Sequence, residues 1–382
     1  MSGVSAITCP RIFDGDRWHE DKAIVIEEGL VRDIVQLNSL TASMVVEEVN
    51  EGFLAPGFVD LQVNGGGGVL LNNDPSVAGI RTICEAHAQF GSTALLPTLI
   101  TDTPEIREKA IAAGIQAAKE HVPGFAGLHL EGPHLSVTRK GAHDPALIRP
   151  MQDEDLTVLI AAGKSLPALV TTIAPESVTP TQVRSLVDAG VKVSIGHSDA
   201  GMDQALGLVE AGASMITHLF NAMSQLTGRA PGMVGAALNS GALNVGLIAD
   251  GFHVHPRTME LAIRAKAGPG KIFLISDAMS TVGTDVTELV LNGRKVMRAG
   301  GKLTLDDGTL AGADLDMATA VRVMHEQVGI ALDETLRMAS LYPAKAMGLS
   351  GHGKIEAGNP ANFVCLSDGL QPDGCWIDGR KQ

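Results

Sequence analysis

Aromatic residues are scarce in this chain of 382 residues: one Tyr, two Trp and nine Phe make up 3% of it. With 45% hydrophobic residues and 44 glycines, that composition fits a compact α/β protein and excludes a disordered chain. Cysteine is also sparse. Cys9, Cys84, Cys365 and Cys375 are widely spaced and form no C-x-x-C pair, so they read as reduced thiols and a reducing cytoplasm is the expected location. Positive charge is in deficit, 29 Lys and Arg against 43 Asp and Glu, for a net charge of −14. Global attraction to nucleic acid or an anionic membrane is thereby excluded. An anionic ligand would also be repelled, so any phosphate pocket must be locally basic. No apolar run is long enough to span a bilayer. The start MSGVSAITCPRIFDGDRWHED has no basic segment followed by an apolar core, so no signal peptide is expected. Gly65–Gly68 lacks the G-x-x-x-x-G-K-[ST] pattern of a nucleotide loop. It reads as flexible loop.

What is present is a repeat of short apolar runs that end in polar residues. FVDLQ ends at Gln62, ALLPT at Thr98, AGLHLE at Glu131 and ALVTTIAPE at Glu176; VKVSIGH ends at His197, SMITH at His218, NVGLIAD at Asp250 and IFLISD at Asp277. Helical stretches are expected between them at 75–90, 103–120, 178–189, 200–211 and 255–267, and after them at 314–328 and 333–347. Eight such units predict an α/β fold, a (β/α)8 TIM barrel, over 54–349. Residues 1–53 and 350–382 alternate like strands and are expected to form a small β domain from both chain ends. The segment 286–312, with Asn-Gly and Asp-Gly turns, predicts a β-hairpin insertion after the eighth strand.

In a barrel of this kind the C-terminal strand ends converge on one face. Glu131, His197 and His218 would meet there and could hold one divalent metal with a fourth position open to water. Asp277, at the end of the last strand, would stand beside it as a general base and acid. One metal-dependent hydrolytic site is therefore expected from the residues themselves.

The motifs HLEGPHLS, KGAHDP, GHSDA, THLFNAMSQLTGRAPG, ADGFHVH and SDAMS occur in this order. Together they resemble the N-acetylglucosamine-6-phosphate deacetylases of the amidohydrolase superfamily, from APGFVDLQVNG at 55–65 to LYPAKAMGL at 341–349. The resemblance implies hydrolysis of the acetamide of a phosphorylated amino sugar, with Glu131, His197 and His218 on the metal and Asp277 as base and acid. It implies that His143 polarises the amide carbonyl. It implies phosphate contacts from Asn221, the Ala222 backbone and Arg229, and from His253 reaching across a homodimer interface. Zn²⁺ is the first expectation for the metal, with Fe²⁺, Mn²⁺ and Co²⁺ compatible with the same ligands. Many amidohydrolases carry His-x-His on the first strand for a second metal. Here Asp60-Leu61-Gln62 stands there, which predicts one metal, with Gln62 hydrogen-bonding near it or meeting a second ion weakly. AGADLDM (311–317) departs from a Ser-rich stretch often found in that family.

Other histidines read as structural. His129 is placed in the core or site wall, His134 in a loop and His255 at a helix start; His87, His121 and His325 are expected to be solvated. Two further readings compete. Another amidohydrolase activity on a cyclic amide or acylated amino acid is disfavoured by Gln62 and by the 221–229 stretch. A metal-free scaffold is disfavoured by the retention of Glu131, His197, His218 and Asp277 together.

Overall fold

The structure, a computed structural model, describes residues 3–291 and 293–382. Asn292, half of the expected Asn-Gly turn, lies outside them. Eight parallel strands run in sequence order around one sheet. They are β1 (Phe58–Val63), β2 (Ser92–Ile100), β3 (Leu128–Glu131), β4 (Leu169–Ile173), β5 (Lys192–Ile195), β6 (Met215–Ile216), β7 (Asn244–Ile248) and β8 (Ile272–Ile275). The ring closes between its ends: the Asp277 N–H donates to Gln62 O at 2.9 Å, and the Asn64 and Gly65 N–H groups donate to Ala278 O at 2.9 and 3.0 Å. The expected barrel is therefore present. All nine residues of β2 are buried, because helices cover the outside of the ring and side chains fill its interior.

The intervening helices begin where the sequence supplies caps. Thr103 accepts from the Ile106 N–H before Pro104, and Thr179 and Gln182 form a reciprocal capping box before Pro180. Two helices were not expected. Gly232–Asn239 is buried at every position from 232 to 238, so it carries no amphipathic stripe to read. Asp153–Ser165 turns Asp155 inward, where Arg107 donates to it at 2.7 Å and Arg149 grips it with both terminal nitrogens. A carboxylate on the inward face interrupts the apolar periodicity.

A second sheet pairs strands from the two chain ends, with Phe53–Pro56 parallel to Ser5–Phe13 and antiparallel to Phe363–Leu366. Its second hairpin joins Trp18–Glu27 to Leu30–Gln36 through Glu28 and Gly29, both at positive φ (52° and 81°). That is the backbone a tight two-residue turn requires, and glycine adopts it without strain. After β8, a four-stranded antiparallel sheet runs through Glu288–Leu291, Arg294–Ala299, Lys302–Leu305 and Leu310–Ala313. Its last strand bonds back to the end of β8 through Ala313 N–H to Asp277 O, 2.9 Å, and Met279 N–H to Ala313 O, 3.1 Å. The insertion thus forms one wall of the barrel mouth.

Candidate active site

The site residues follow a positional rule. Glu131 ends β3; His197, His218 and Asp277 each lie two residues beyond β5, β6 and β8. These last three have left-handed backbones, with φ of 47°, 29° and 51°. That conformation is uncommon outside glycine and turns each side chain from the strand direction into the mouth. There they line a cavity of about 380 Å³ with Asn64, His143, Asn221, Ala222 and His253, within the size range of small-ligand pockets.

Glu131 Oε1 lies 3.2 Å from both His197 Nε2 and His218 Nε2, and these two nitrogens are 3.0 Å apart. Tetrahedral ligands with bonds of about 2.0 Å stand about 3.3 Å from one another, so the three atoms have the spacing of a metal-ligand face. His197 Nδ1 lies 2.8 Å from Arg139 O. A carbonyl only accepts, so Nδ1 carries the proton and Nε2 presents its lone pair to the cluster. Burial alone would raise the Glu131 pKa, yet the imidazoles of His143, His197 and His218 around it hold it well below the usual carboxylate range. Burial would lower His218, but the Glu131 carboxylate raises it. A negative well that holds a proton on an imidazole also attracts a cation. The donor set therefore fits a divalent metal.

His143 belongs to the same cluster: Glu131, His143 and His197 could together hold a metal ion. Its hydrogen bonds argue for a different task. The Thr101 N–H donates to His143 Nδ1 at 3.3 Å, with Thr101 Oγ1 at 2.8 Å. Nδ1 is thus an acceptor, and the neutral ring carries its proton on Nε2, which faces Glu131 Oε2 at 3.6 Å. Burial, then the neighbouring His197, push His143 down to about 4, so the ring is neutral near pH 7. It is built to donate a hydrogen bond into the cavity and has no lone pair there to offer.

Asp277 faces the cluster from β8. Burial, then the charge of Glu131, raise its pKa above the ordinary carboxylate value. The amide of Gln62 bridges two carboxylates, donating to Glu131 Oε1 at 3.1 Å and Asp277 Oδ1 at 3.2 Å. Asn64 Nδ2 donates to the same Oδ1 at 2.8 Å. The first-strand pair that faces the site is thus Gln62 and Asn64, a correction to the Asp60–Gln62 pair read from sequence. Asp60 lies beneath, fully buried, accepting from the Ser276 and Gln62 N–H groups. Burial pushes it up to about 7.

The same cavity is lined by Asn221, Ala222 and His253. Phe220 and Ala222 have positive φ (74° and 48°) on either side of Asn221. The chain turns sharply there, and the Asn221 N–H is taken by His218 O at 3.0 Å. His253 was expected to reach into a partner's pocket, but it lines the cavity of its own chain. Asp250 Oδ2 fixes its ring through Nδ1 at 2.6 Å. Arg229 is exposed and lies outside the cavity lining. Arg139 does line it, paired with Asp199 at 2.7 Å.

The remaining residues resolve as structure. His129 is a core residue, bonded to Leu61 O and Thr172 Oγ1. His255 accepts from the Arg257 N–H at a helix start. His87, expected to be solvated, is instead fully buried with Nε2 2.9 Å from Gly65 O, because its helix packs against that glycine loop. Glu176 accepts from Ser198 and Asp199 and so braces the turn that follows His197. Asn64 and Thr101 were missed as site residues. The available signal for Asn64 was its parity with Gln62 on one strand face.

Fold and site together define a barrel hydrolase with a metal-ligating mouth, and the comparisons agree. The family model described as "Amidohydrolase family" matches residues 53–381; the chain belongs to that family. It is 42% identical to the N-acetylgalactosamine-6-phosphate deacetylase of Shewanella sp. (strain ANA-3), over 94% of this chain and 91% of the relative. It is 32% identical to the N-acetylglucosamine-6-phosphate deacetylase of Haemophilus influenzae, over 94% of both. The crystal structure of the N-acetylglucosamine-6-phosphate deacetylase from Pasteurella multocida superimposes with a TM-score of 0.95 at 34% identity, covering 99% of each chain.

Proposed function

We propose that this chain hydrolyses the acetamide of N-acetyl-D-glucosamine 6-phosphate, releasing acetate and glucosamine 6-phosphate, in amino-sugar catabolism and recycling. The observation that carries the reading is the single cavity in which the Glu131–His197–His218 cluster, His143 and Asp277 meet. Glu131, His197 and His218 would hold one divalent metal, Zn²⁺ by first preference. Bound there, such an ion supplies Lewis-acid polarisation of the amide carbonyl and acidifies water.

The chain's own groups do the rest. Asp277 accepts a proton from water as the water oxygen adds to the carbonyl carbon. His143 Nε2–H donates to the carbonyl oxygen as charge collects on it. Asp277 then returns the proton to nitrogen as the C–N bond breaks, giving the free amine and the carboxylic acid, which ionises to acetate by losing its proton to water. The Asn221 side chain, the Ala222 backbone and His253 would receive the 6-phosphate within the same cavity. A homodimer is part of the reading. With His253 in its own chain's pocket, the residue left to act across an interface is the exposed Arg229. The cytoplasm remains the expected compartment, in keeping with four buried, unpaired cysteines; among the described residues no helix is long and apolar enough to cross a membrane.

A second reading, the galacto epimer as substrate, is favoured by the 42% identical Shewanella relative. The test is acetate release from both N-acetylhexosamine 6-phosphates and from unphosphorylated N-acetylglucosamine. A higher kcat/KM for the gluco 6-phosphate supports the first reading. A higher value for the galacto epimer replaces it with the second, and turnover indifferent to phosphate overturns both.

A further inference from the structure

The buried amide of Asn64 has no part in the reaction as described, yet it grips the residue given the proton-transfer role. Its Nδ2 donates to Asp277 Oδ1 at 2.8 Å and to Asp277 backbone O at 3.3 Å. One group therefore holds both the side chain and the main chain of a residue in a left-handed conformation. Asn64 is 4% exposed and lines the cavity. Its Oδ1 is buried without a hydrogen-bond partner among the described residues. The reversed amide would set Oδ1 against the Asp277 carboxylate, so the donor orientation is the one the site demands. Gln62 Nε2 donates to the same Asp277 Oδ1.

We infer that Asn64 is a positioning residue for Asp277: with Gln62 it occupies Oδ1 and leaves Oδ2 as the oxygen that takes the proton from water and returns it to the leaving nitrogen. The inference rests on the role of Asp277 in the proposed reaction. A carboxylate free to rotate about its last bond would present either oxygen to the substrate. Two amide donors converging on one oxygen fix that rotation before substrate arrives. Small errors in the aim of a catalytic group are known to reduce rate steeply without changing ground-state binding.

The test uses Asn64→Leu, similar in volume without donors, and Asn64→Ala should Leu not fold. Each is measured for kcat, KM, bound metal and melting temperature, alone and combined with Asp277→Asn. The expected result is a fall in kcat on the order of 10–100-fold, from misaimed proton transfer. KM should stay within about threefold, with metal content unchanged, on the same principle. In the Asp277→Asn background the Asn64 substitution should lower kcat no further, because residues acting as one unit are not additive. Equal losses in both backgrounds would overturn the inference, as would a change confined to KM or to metal content. If Asp277→Asn itself retains normal turnover, the proposed reaction fails instead, and the two failures are told apart.

Discussion

Asp277→Asn is the sharpest test of the proposed chemistry, because the structure predicts that it removes one function and little else. Asparagine keeps the shape of aspartate. Its side-chain oxygen can still accept from Asn64 and Gln62 where Oδ1 does now, at 2.8 and 3.2 Å. The backbone at 277 has φ of 51°, and asparagine is among the residues that tolerate that region best. Glu131, His197 and His218 are untouched, so metal affinity should persist. What is lost is a group able to accept a proton, and general acid–base catalysis contributes on the order of 10²–10⁴-fold. At 1.36 kcal/mol per tenfold this is about 3–5 kcal/mol of barrier. Steady-state acetate release, elemental analysis and thermal melting would be read on one preparation. The expected outcome is kcat down by at least about a hundredfold, with metal and melting temperature close to those of the unaltered chain. A metal-replete Asn variant with near-normal kcat would remove Asp277 from the reaction.

Four other outcomes are expected. Elemental analysis of gently purified protein should give near one divalent metal per chain, and His197→Ala or His218→Ala should empty the site; two tightly held equivalents would contradict a single Glu/His/His centre. His143→Gln should lower kcat more than it raises KM, since a donor aimed at developing charge acts on the transition state; a pure KM effect would make His143 a binding residue. Arg229→Ala should raise KM for the 6-phosphate sugar and leave the unphosphorylated sugar unchanged if a second chain completes the phosphate site; no effect on the phosphorylated sugar would leave that site to His253, Asn221 and the Ala222 backbone. Acid should destabilise the fold through His129 and His134, both buried and pushed down to about 4: the unfolded chain binds protons from about 6.5 downward while the folded chain does not, so stability falls as pH drops from about 6.5 to 4, by on the order of 3 kcal/mol for each group. Denaturation midpoints at pH 7 and pH 4.5 would check this, and equal midpoints would refute it.

The barrel was legible because strands buried on both faces read as apolar runs, and because four of the runs stop at a residue that lines the mouth. Glu131, His197, His218 and Asp277 stood at those stops. Gly232–Asn239 escaped notice for the opposite reason: a helix buried all round has no polar face to set its period. Asp155 hid a second helix by sitting inward against Arg107 and Arg149. Parity with Gln62 could have put Asn64 on the site's face, but its partner Asp277, like His143 for Thr101, is remote in sequence. No local spacing encodes such a pairing; it exists only once β1 lies beside β8 and β2 beside β3. The placement of His253 in its own cavity follows from Asp250, three residues earlier, whose carboxylate accepts from the His253 backbone and from its ring.

The left-handed backbone at His197, His218 and Asp277 ties the fold to the chemistry most directly. Non-glycine residues held in that region cost roughly 1–3 kcal/mol each and persist only where their surroundings over-determine them. Here each is held by main-chain bonds that belong to the barrel. His197 O accepts from Ser136 N–H at 2.9 Å, His218 O from Asn221 N–H at 3.0 Å, and Asp277 gives its N–H to Gln62 O and accepts from Ala313 at 2.9 Å each. Glycine would relieve the backbone at all three positions but would bring no imidazole or carboxylate to the cavity. The strain is therefore tolerated at the residues whose side chains must leave the strand direction to meet. The hydrogen bonds that oppose it are the ones that close the ring and seat the neighbouring loops. A substitution that loosens barrel closure between β1 and β8, far from any ligand atom, should consequently misplace Asp277 before it unfolds the protein.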